Sequence, residues 1–565
     1  MKSDELIKNL NEEQKKAVLS TEGPNLVVAG AGSGKTKVLT TRLAYIINQK
    51  KAWSNQILCV TFTNKAAKEM QNRVLGYLRE KSNSVPWLGT FHSISVKFLR
   101  RHAEALGLKS NFTILDTDDQ KKLIKKICTA ENIDAKKISP QFIIAFIDQW
   151  KNKGFLPKNV KLEKSSSIIK SILKVYEIYQ NKTKDLNAFD FGDLILFCVK
   201  LFEEHKDIRE IYHNNFKYIL VDEFQDTDPL QAEIVLLLTA DNPKETNWRL
   251  CQIIPGSLFV VGDPKQSIYR FRRADIGTFN FVKERIKCSG GRILQLHSNF
   301  RSNPELVEWI NEHFAGLFEG QQVEMSEQYG PGFTASQASR SVSIPGVLTG
   351  MRQLRVRSRN VRAEAEAIAT FIRRAMDRRL TVSRSSKDED PACRPSDFML
   401  VTWDTGQLST YADALYAEGI PCDVTGRKGT DSKNDLWLLH LCLRVGADSD
   451  DTIAALAVLR GPLFGFSDPD LEAFHRAGGC IDGRLRVPDG LKDKILTHRF
   501  EHASKTFHRW RRLLGALPPV AAIERIINES GLLLVASSAN GEAGRRGRAA
   551  WSSRSNPLSA WRRFS

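Results

Sequence analysis

Nine cysteines are scattered along 565 residues with no C-x-x-C pair among them. That spacing argues against a zinc ribbon, an iron–sulfur site or a disulfide framework, and fits a reducing compartment. No apolar run approaches the ~20 residues of a membrane span, so no membrane partner is expected. The opening "MKSDELIKNL" is too polar for a secretory signal. Together these absences leave a cytoplasmic protein as the expectation. Negative charge is also in short supply: Lys and Arg number 83 against 65 Asp and Glu, a net charge of +18. A balance that basic suits a polyanionic partner, nucleic acid ahead of an anionic surface.

What is present changes character along the chain. Through residue 250 there are 32 lysines and 7 arginines; beyond it there are 9 and 35. The first part is rich in Ile and Asn, the second in Ala, Gly and Arg. Ordinary domain differences could do this. The favoured reading is a join between two related sequences near "VDEFQDTDP". The length is too great for one core, so several domains are expected.

The apolar pattern predicts an α/β fold. "PNLVVAGAG", "QILCVTFT", "YILVDE" and "SLFVVGD" read as buried strands, each ending in a polar or glycine-rich loop. Helical stretches separate them, which implies a parallel sheet covered on both faces. Between about 93 and 186 the pattern turns helical and lysine-rich, as an inserted helical domain would. A second α/β stretch opens near "RILQLHSNF", with "RAEAEAIATFIRRAMD" as an amphipathic helix and "DFMLVTW" as a strand. The tail "ANGEAGRRGRAAWSSRSNPLSAWRRFS" has no periodicity, and poor order is expected there.

Two stretches carry chemistry. "AGAGSGKT", Ala29 to Thr36, fits a phosphate-binding loop between a strand and a helix: Ala29, Gly30, Ala31, Gly32, Ser33 and Gly34 shape the turn, Lys35 neutralises phosphate, and Thr36 ligates Mg²⁺. "YILVDEFQDTDPLQ" places Asp222, Glu223, Asp226 and Asp228 behind an apolar strand. Asp222 would hold Mg²⁺ and Glu223 would activate the attacking water. The bland alternatives are a glycine-rich turn and an acidic helix cap.

In family order, these motifs resemble those of superfamily 1 DNA helicases of the UvrD/Rep/PcrA and RecB/AddA kind. "LNEEQKKAV" is similar to the Q motif, with Gln14 reading adenine. "VTFTNKAAKEM" and "GTFHS" resemble the strand-groove motifs, "VGDPKQSIYRFRRAD" motif III and "LHSNFRS" motif IV. The resemblance implies an ATP site of Gln14, the loop residues, Arg42 and Phe300, the last replacing an adenine-stacking tyrosine. It implies Gln266 as a γ-phosphate sensor and Arg301 as an arginine finger from a second motor domain. It also implies a single-stranded DNA groove of Phe62, Thr63, Asn64, Thr90, Phe91, His92, Phe191, Tyr269, Phe271 and Arg272, where stacking is sequence-tolerant. "FDFGDL" resembles a segment ending Asp-Phe-Asp-Asp-Leu; Gly192 departs from it. Up to about Asp228 the chain looks closest to UvrD, and afterwards more like RecB or AddA.

Two later family motifs, Thr-x-His-x-x-Lys-Gly-Leu-Glu and Val-Ala-x-Thr-Arg-Ala, do not occur. The expected organisation is therefore a RecA-like motor domain (1–92 and 187–290), a helical insert (93–186), an incomplete second RecA-like domain (291–430), the start of a second helical subdomain (431–540) and a disordered tail (541–565). The function expected is ATP-dependent 3′-to-5′ translocation or unwinding, on single strands or tailed duplex, in repair or recombination. Two alternatives stay open: an ATP- and DNA-binding fragment with little turnover, and the motor subunit of a helicase–nuclease complex acting with other repair subunits. No nuclease carboxylate or cysteine cluster is visible in the sequence.

Overall fold

The computed structural model describes residues 3–78, 85–133, 138–161, 167–324, 335–339, 350–356, 360–382, 392–424 and 430–532. The chain forms two compact units: Met1–Arg355 with Arg379–Ala392, and Val356–Arg378 with Cys393–Ser565.

The first unit is organised by a parallel sheet. Its strands are β1 (Asn25–Ala29), β2 (Ile57–Thr61) and β3 (Leu88–Thr90). A short pair, β4 (Thr113–Leu115) and β5 (Ala188–Asp190), lies outside it. The sheet continues with β6 (Tyr218–Val221), β7 (Leu258–Gly262) and β8 (Arg292–Leu296). The order is β3-β2-β6-β7-β1-β8, with every neighbouring pair parallel. Successive residues serve opposite faces, as the period of two requires. Leu26, Leu58, Val60, Ile219, Val221, Leu258 and Val260 enter one core; Val27, Cys59, Leu220, Phe259 and Val261 enter the other. Helices Lys35–Asn48 and Asn64–Leu78 close the second core with Val38, Leu39, Leu43, Met70 and Val74. Helices Phe91–Arg101, Phe191–Glu204, Pro229–Thr239 and Ile276–Cys288 cover the first.

The expected boundary after residue 290 falls one strand early. β8 pairs with β1 from Asn25↔Arg292 to Ala29↔Leu296, giving β1 a neighbour on both edges. Residues 292–296 therefore belong to the first sheet. In the helical excursion, helices Thr117–Ala130, Pro140–Asn152 and Ser167–Asp185 share a core of Ile124, Ile127, Ile143, Ile147, Trp150, Ile172 and Tyr176. The β4–β5 pair brings the two ends of this excursion side by side.

The described residues of the second unit are helical. Helices Val361–Asp377 and Leu408–Ala417 share a small core around Ala365, Ala369, Ile372 and Leu415. Helices Thr430–Ala447, Thr452–Arg460, Asp468–Arg476, Lys494–Ala516 and Pro519–Glu529 build a larger one around Val445, Val458, Phe474, Phe500 and Trp510. "DFMLVTW" does not form the expected strand. Met399, Val401 and Trp403 stand exposed at 86%, 87% and 106%, because no strand lies beside them among the described residues. Residues 541–565, expected to be disordered, lie outside the described residues.

Candidate nucleotide site and nucleic-acid interface

The loop after β1 turns on two left-handed glycines, Gly32 (φ +78°) and Gly34 (φ +87°). Each is also crowded. A Cβ on Gly34 would sit 2.8 Å from Gln14 Nε2, and one on Gly32 would sit 2.6 Å from Asn299 Oδ1. The geometry needs glycine for conformation and for space. Gln14 works at both ends: its backbone N–H donates to Asn11 Oδ1 (2.8 Å) in a capping box, and its side-chain amide donates to the Ser33 carbonyl (2.9 Å). The Q-motif helix Glu12–Leu19 is thereby fastened to the phosphate-loop sequence.

Three strand ends converge on Lys35. β7 lies between β1 and β6, so the loops following all three are neighbours. Lys35 Nζ lies 3.0 Å from Glu223 Oε2 and donates to Gln266 Oε1 at 3.2 Å. Glu223 adopts a left-handed backbone (φ +48°, ψ +46°). That conformation is uncommon for a side chain without a local reason, and it turns the chain immediately after Asp222. Asp222 and Asp226 are both buried, and each has one carboxylate oxygen without a hydrogen-bond partner. Burial, then the charge of Glu223, pushes Asp222 up to about 7 and Asp226 up to about 6. A divalent cation would relieve such oxygens, so the donor set of Asp222 with the half-buried Thr36 fits Mg²⁺. Among the described residues there is no cluster of three or more His, Cys, Asp or Glu side chains suited to a metal; a site sharing its ion with phosphates does not need one. Asp228 instead caps helix Pro229–Thr239 through Gln231 N–H (2.8 Å).

Two nucleotide-site expectations need correction. Arg42 is fully buried, donates to the Ala17 and Val18 carbonyls at 2.8 and 3.3 Å, and lies 4.1 Å over the Phe259 ring. Burial pushes it down to about 9. It holds two elements together inside the core and has no surface to offer a ligand. Arg301, expected from a second motor domain, belongs to the first unit. The Phe300 N–H donates to Gly32 O (2.9 Å), while Asn299 donates to Ala31 O (3.1 Å) and caps Arg301 and Ser302 N–H (both 2.9 Å). Phe300 is thus bound to the phosphate loop through its backbone and Arg301 is held against Gly32 through the Asn299 side chain, with Phe300 45% exposed. His297 is fixed to Glu13 by two contacts of 2.9 and 2.8 Å.

The ring residues fall into two groups. Phe62 and Tyr269 have centroids 5.0 Å apart, and Tyr269 and Phe271 5.8 Å, with Phe271 79% exposed. His92 and Phe191 make a second pair at 6.0 Å, with Phe191 exposed. Thr63 and Asn64 are exposed at the start of helix Asn64–Leu78, where Thr63 accepts from Ala66 N–H (3.1 Å). Thr90 is nearly buried: it caps helix Phe91–Arg101 through Ser93 N–H (3.2 Å) and donates to Asn64 Oδ1 (3.4 Å). Phe91 is a correction. It packs into the sheet core with Leu58 and Ile94 and does not face outward. The side chain of Arg272 lies outside the described residues.

Some structural partners carried no motif signal. Lys151 is fully buried between Asp190 (2.6 Å) and Asp193 (2.7 Å), with Tyr179 and Gln120 also donating to Asp190 at 2.9 Å. Lys151 continues the apolar stripe of Ile143 and Ile147 at helical spacing, and a lysine on such a stripe must find a buried partner. The acids of "FDFGDL" therefore clamp the helical excursion, and Gly192 passes beside Lys151, where a Cβ would lie 3.2 Å from Lys151 Cδ.

A parallel sheet with a phosphate-type loop after β1 and an acidic strand end after β6 defines a RecA-like α/β fold. In sequence the chain is similar to the UvrD/Rep/PcrA-type helicases of superfamily 1. Residues 10–287 match the UvrD/REP helicase N-terminal domain. A protein of Staphylococcus epidermidis named ATP-dependent DNA helicase PcrA is 34% identical over 467 residues, 83% of this chain and 58% of that protein. Its namesake from Staphylococcus aureus is 41% identical over 308 residues, 54% of this chain and 40% of that protein. The chain spans about half the length of the relatives it matches. Among the described residues no helix is long and apolar enough to cross a membrane.

Proposed function

We propose that this chain binds ATP with Mg²⁺ at the ends of β1, β6 and β7 and uses hydrolysis to move 3′ to 5′ along single-stranded DNA, in repair or recombination within the cytoplasm. The carrying observation is the meeting of Lys35 with Glu223 and Gln266 at 3.0 and 3.2 Å. In this reading Lys35 passes to the β- and γ-phosphates. That frees Glu223 to take the proton of the attacking water, while Gln266 reports on the γ-phosphate. Gln14 reads the adenine edge, and the Phe300 ring stacks on the base. Arg301 meets the negative charge that spreads over the γ-phosphoryl oxygens. Mg²⁺, held by Asp222 and Thr36, would neutralise phosphate charge. Phe62, Tyr269, Phe271, His92 and Phe191 offer base-stacking faces along a strand.

A second reading, ATP and DNA binding with little turnover, has one observation in its favour: the described residues of the second unit hold no sheet, and Met399, Val401 and Trp403 stand exposed. Both readings predict that Lys35→Ala markedly weakens binding of a fluorescent ATP analogue with Mg²⁺. They part at Glu223→Gln, which should bind nucleotide like the parent. If the parent hydrolyses ATP in the presence of oligo(dT) and Glu223→Gln does not, the motor reading stands. Binding by the Lys35→Ala variant as tight as the parent's would remove the phosphate-loop assignment altogether.

A further inference from the structure

Gln225 sits between two acids, Glu223 and Asp226, and the sequence pattern gives it no task. It is 2% exposed, and both ends of its amide are used. Its Nε2 donates to Glu223 Oε2 at 2.8 Å. Its Oε1 accepts from the Asp263 N–H, the first residue after β7, at 2.9 Å. Its backbone carbonyl accepts from Ser267 Oγ at 3.0 Å. Asp263 in turn accepts from Gln266 Nε2 at 2.7 Å. The fit is tight: a Cβ on Gly262 would lie 2.8 Å from Gln225 Oε1. One side chain thus grips the carboxylate beside Lys35 and the base of the loop that carries Gln266, Tyr269 and Phe271.

We infer that Gln225 is the positioning residue through which the stacking loop after β7 and the Glu223 carboxylate move together, so that a strand held on Tyr269 and Phe271 sets the placement of Glu223. The inference rests on the nucleotide and DNA reading above and names the joint inside it. An amide suits the task because it offers a donor and an acceptor on one planar group. Loop displacement pulls on Oε1 and is returned at Nε2. A carboxylate could keep the bond to Asp263 N–H but would repel Glu223. A methionine of similar reach would keep the volume and lose both bonds. Because the joint is a coupling, its signature is the linkage between two ligands, which must be the same in both directions.

The experiment measures the affinity of the full 565-residue chain for a non-hydrolysable fluorescent ATP analogue with Mg²⁺, with and without saturating oligo(dT). The parent should show a linkage in the usual range of about 5- to 150-fold. Gln225→Met and Gln225→Glu should bring it to within about twofold of unity, while each ligand alone binds within about threefold of parental affinity. Ser267→Ala, which removes one hydroxyl near the surface and leaves no buried charge, should lower the linkage partway. A role confined to packing would instead lower the melting temperature and leave the linkage intact. Parental linkage in Gln225→Met or Gln225→Glu overturns the inference. If those two do not fold, unchanged linkage in Ser267→Ala overturns it. A parent that binds both ligands without linkage also overturns it, since nothing would be coupled. A parent that binds neither, or whose Lys35→Ala variant binds nucleotide equally well, removes the nucleotide and DNA reading itself, and the inference goes with it.

Discussion

Phe271 is the side chain whose exposure says most. It is 79% exposed, and it extends a ring series that begins at half-buried Phe62. Phe271→Ala should weaken binding of every single-stranded sequence alike, by about 1–3 kcal/mol if one base stacks there. Titrations with oligo(dT), oligo(dA) and mixed sequence check this; a loss confined to one sequence would assign the ring to base readout. His92 gives a pH test. Burial, then the charge of Arg273, lowers it from 6.5 to about 4. Between those values the unfolded chain binds a proton that the folded chain does not. Stability is therefore full above about pH 6.5 and falls as pH drops toward 4. Denaturant unfolding across that window should show the slope, and His92→Gln should flatten part of it. At neutral pH His92 is uncharged, so in the proposed groove it would meet a strand through hydrogen bonds or its ring, not as a cation. Phe91, its neighbour in the same "GTFHS" motif, shows what a sequence pattern leaves open: consecutive residues at a helix start point about 100° apart, and only packing says which ring goes inside.

At the scale of elements, the helical excursion is held by a buried charge cluster and a two-strand clasp. Helix Pro140–Asn152 delivers Lys151 to the start of helix Phe191–Glu204, where Asp190 and Asp193 wait in a reciprocal cap. Removing the ammonium strands two buried carboxylates. Lys151→Met should cost about 3–5 kcal/mol, the usual penalty for breaking a buried pair from one side. Chemical denaturation measures it, and the triple variant with Asp190→Asn and Asp193→Asn should recover part of the loss. Arg273, carried by the loop after β7, reaches Asp148 on the same helix at 3.4 Å, so the excursion also touches the loop that holds Gln266. The periodicity predicted the helices, and the apolar stripe of Ile143, Ile147 and Lys151 held the clue to the cluster. The partner acids could not be chosen from sequence, because they lie 39 and 42 positions further along and meet Lys151 only when β4 and β5 pair.

For the whole molecule the two units differ in kind. The first carries a complete parallel sheet with both faces covered. The second, among its described residues, is helical, and its most strand-like segment, around Val401, is unpaired. A motor converts closure into steps by moving one rigid body against another. On the binding-only reading the 565-residue chain should therefore bind ATP and single strands and release little strand in a displacement assay on a 3′-tailed duplex, with Lys35→Ala as the control for contaminating helicase. Robust, Lys35-dependent displacement would show that the second unit supplies what its helices alone do not display. By itself the sequence determined the local chemistry. Glycines mark where the backbone must turn left-handed, alternating apolar residues mark a sheet covered on both faces, and the acids behind "YILV" mark a strand end that faces something charged. Each of those signals lies within a few residues of its cause. Tertiary structure alone decided which loops meet. Lys35, Glu223 and Gln266 span 231 positions of chain, and they touch because β7 inserts between β1 and β6. It also decided that β8 closes the far edge of β1, that Arg301 rests on Gly32, and that Arg42 is core. Strand order is set by which packing buries the most apolar surface across the entire sheet, and no window of the sequence holds that sum.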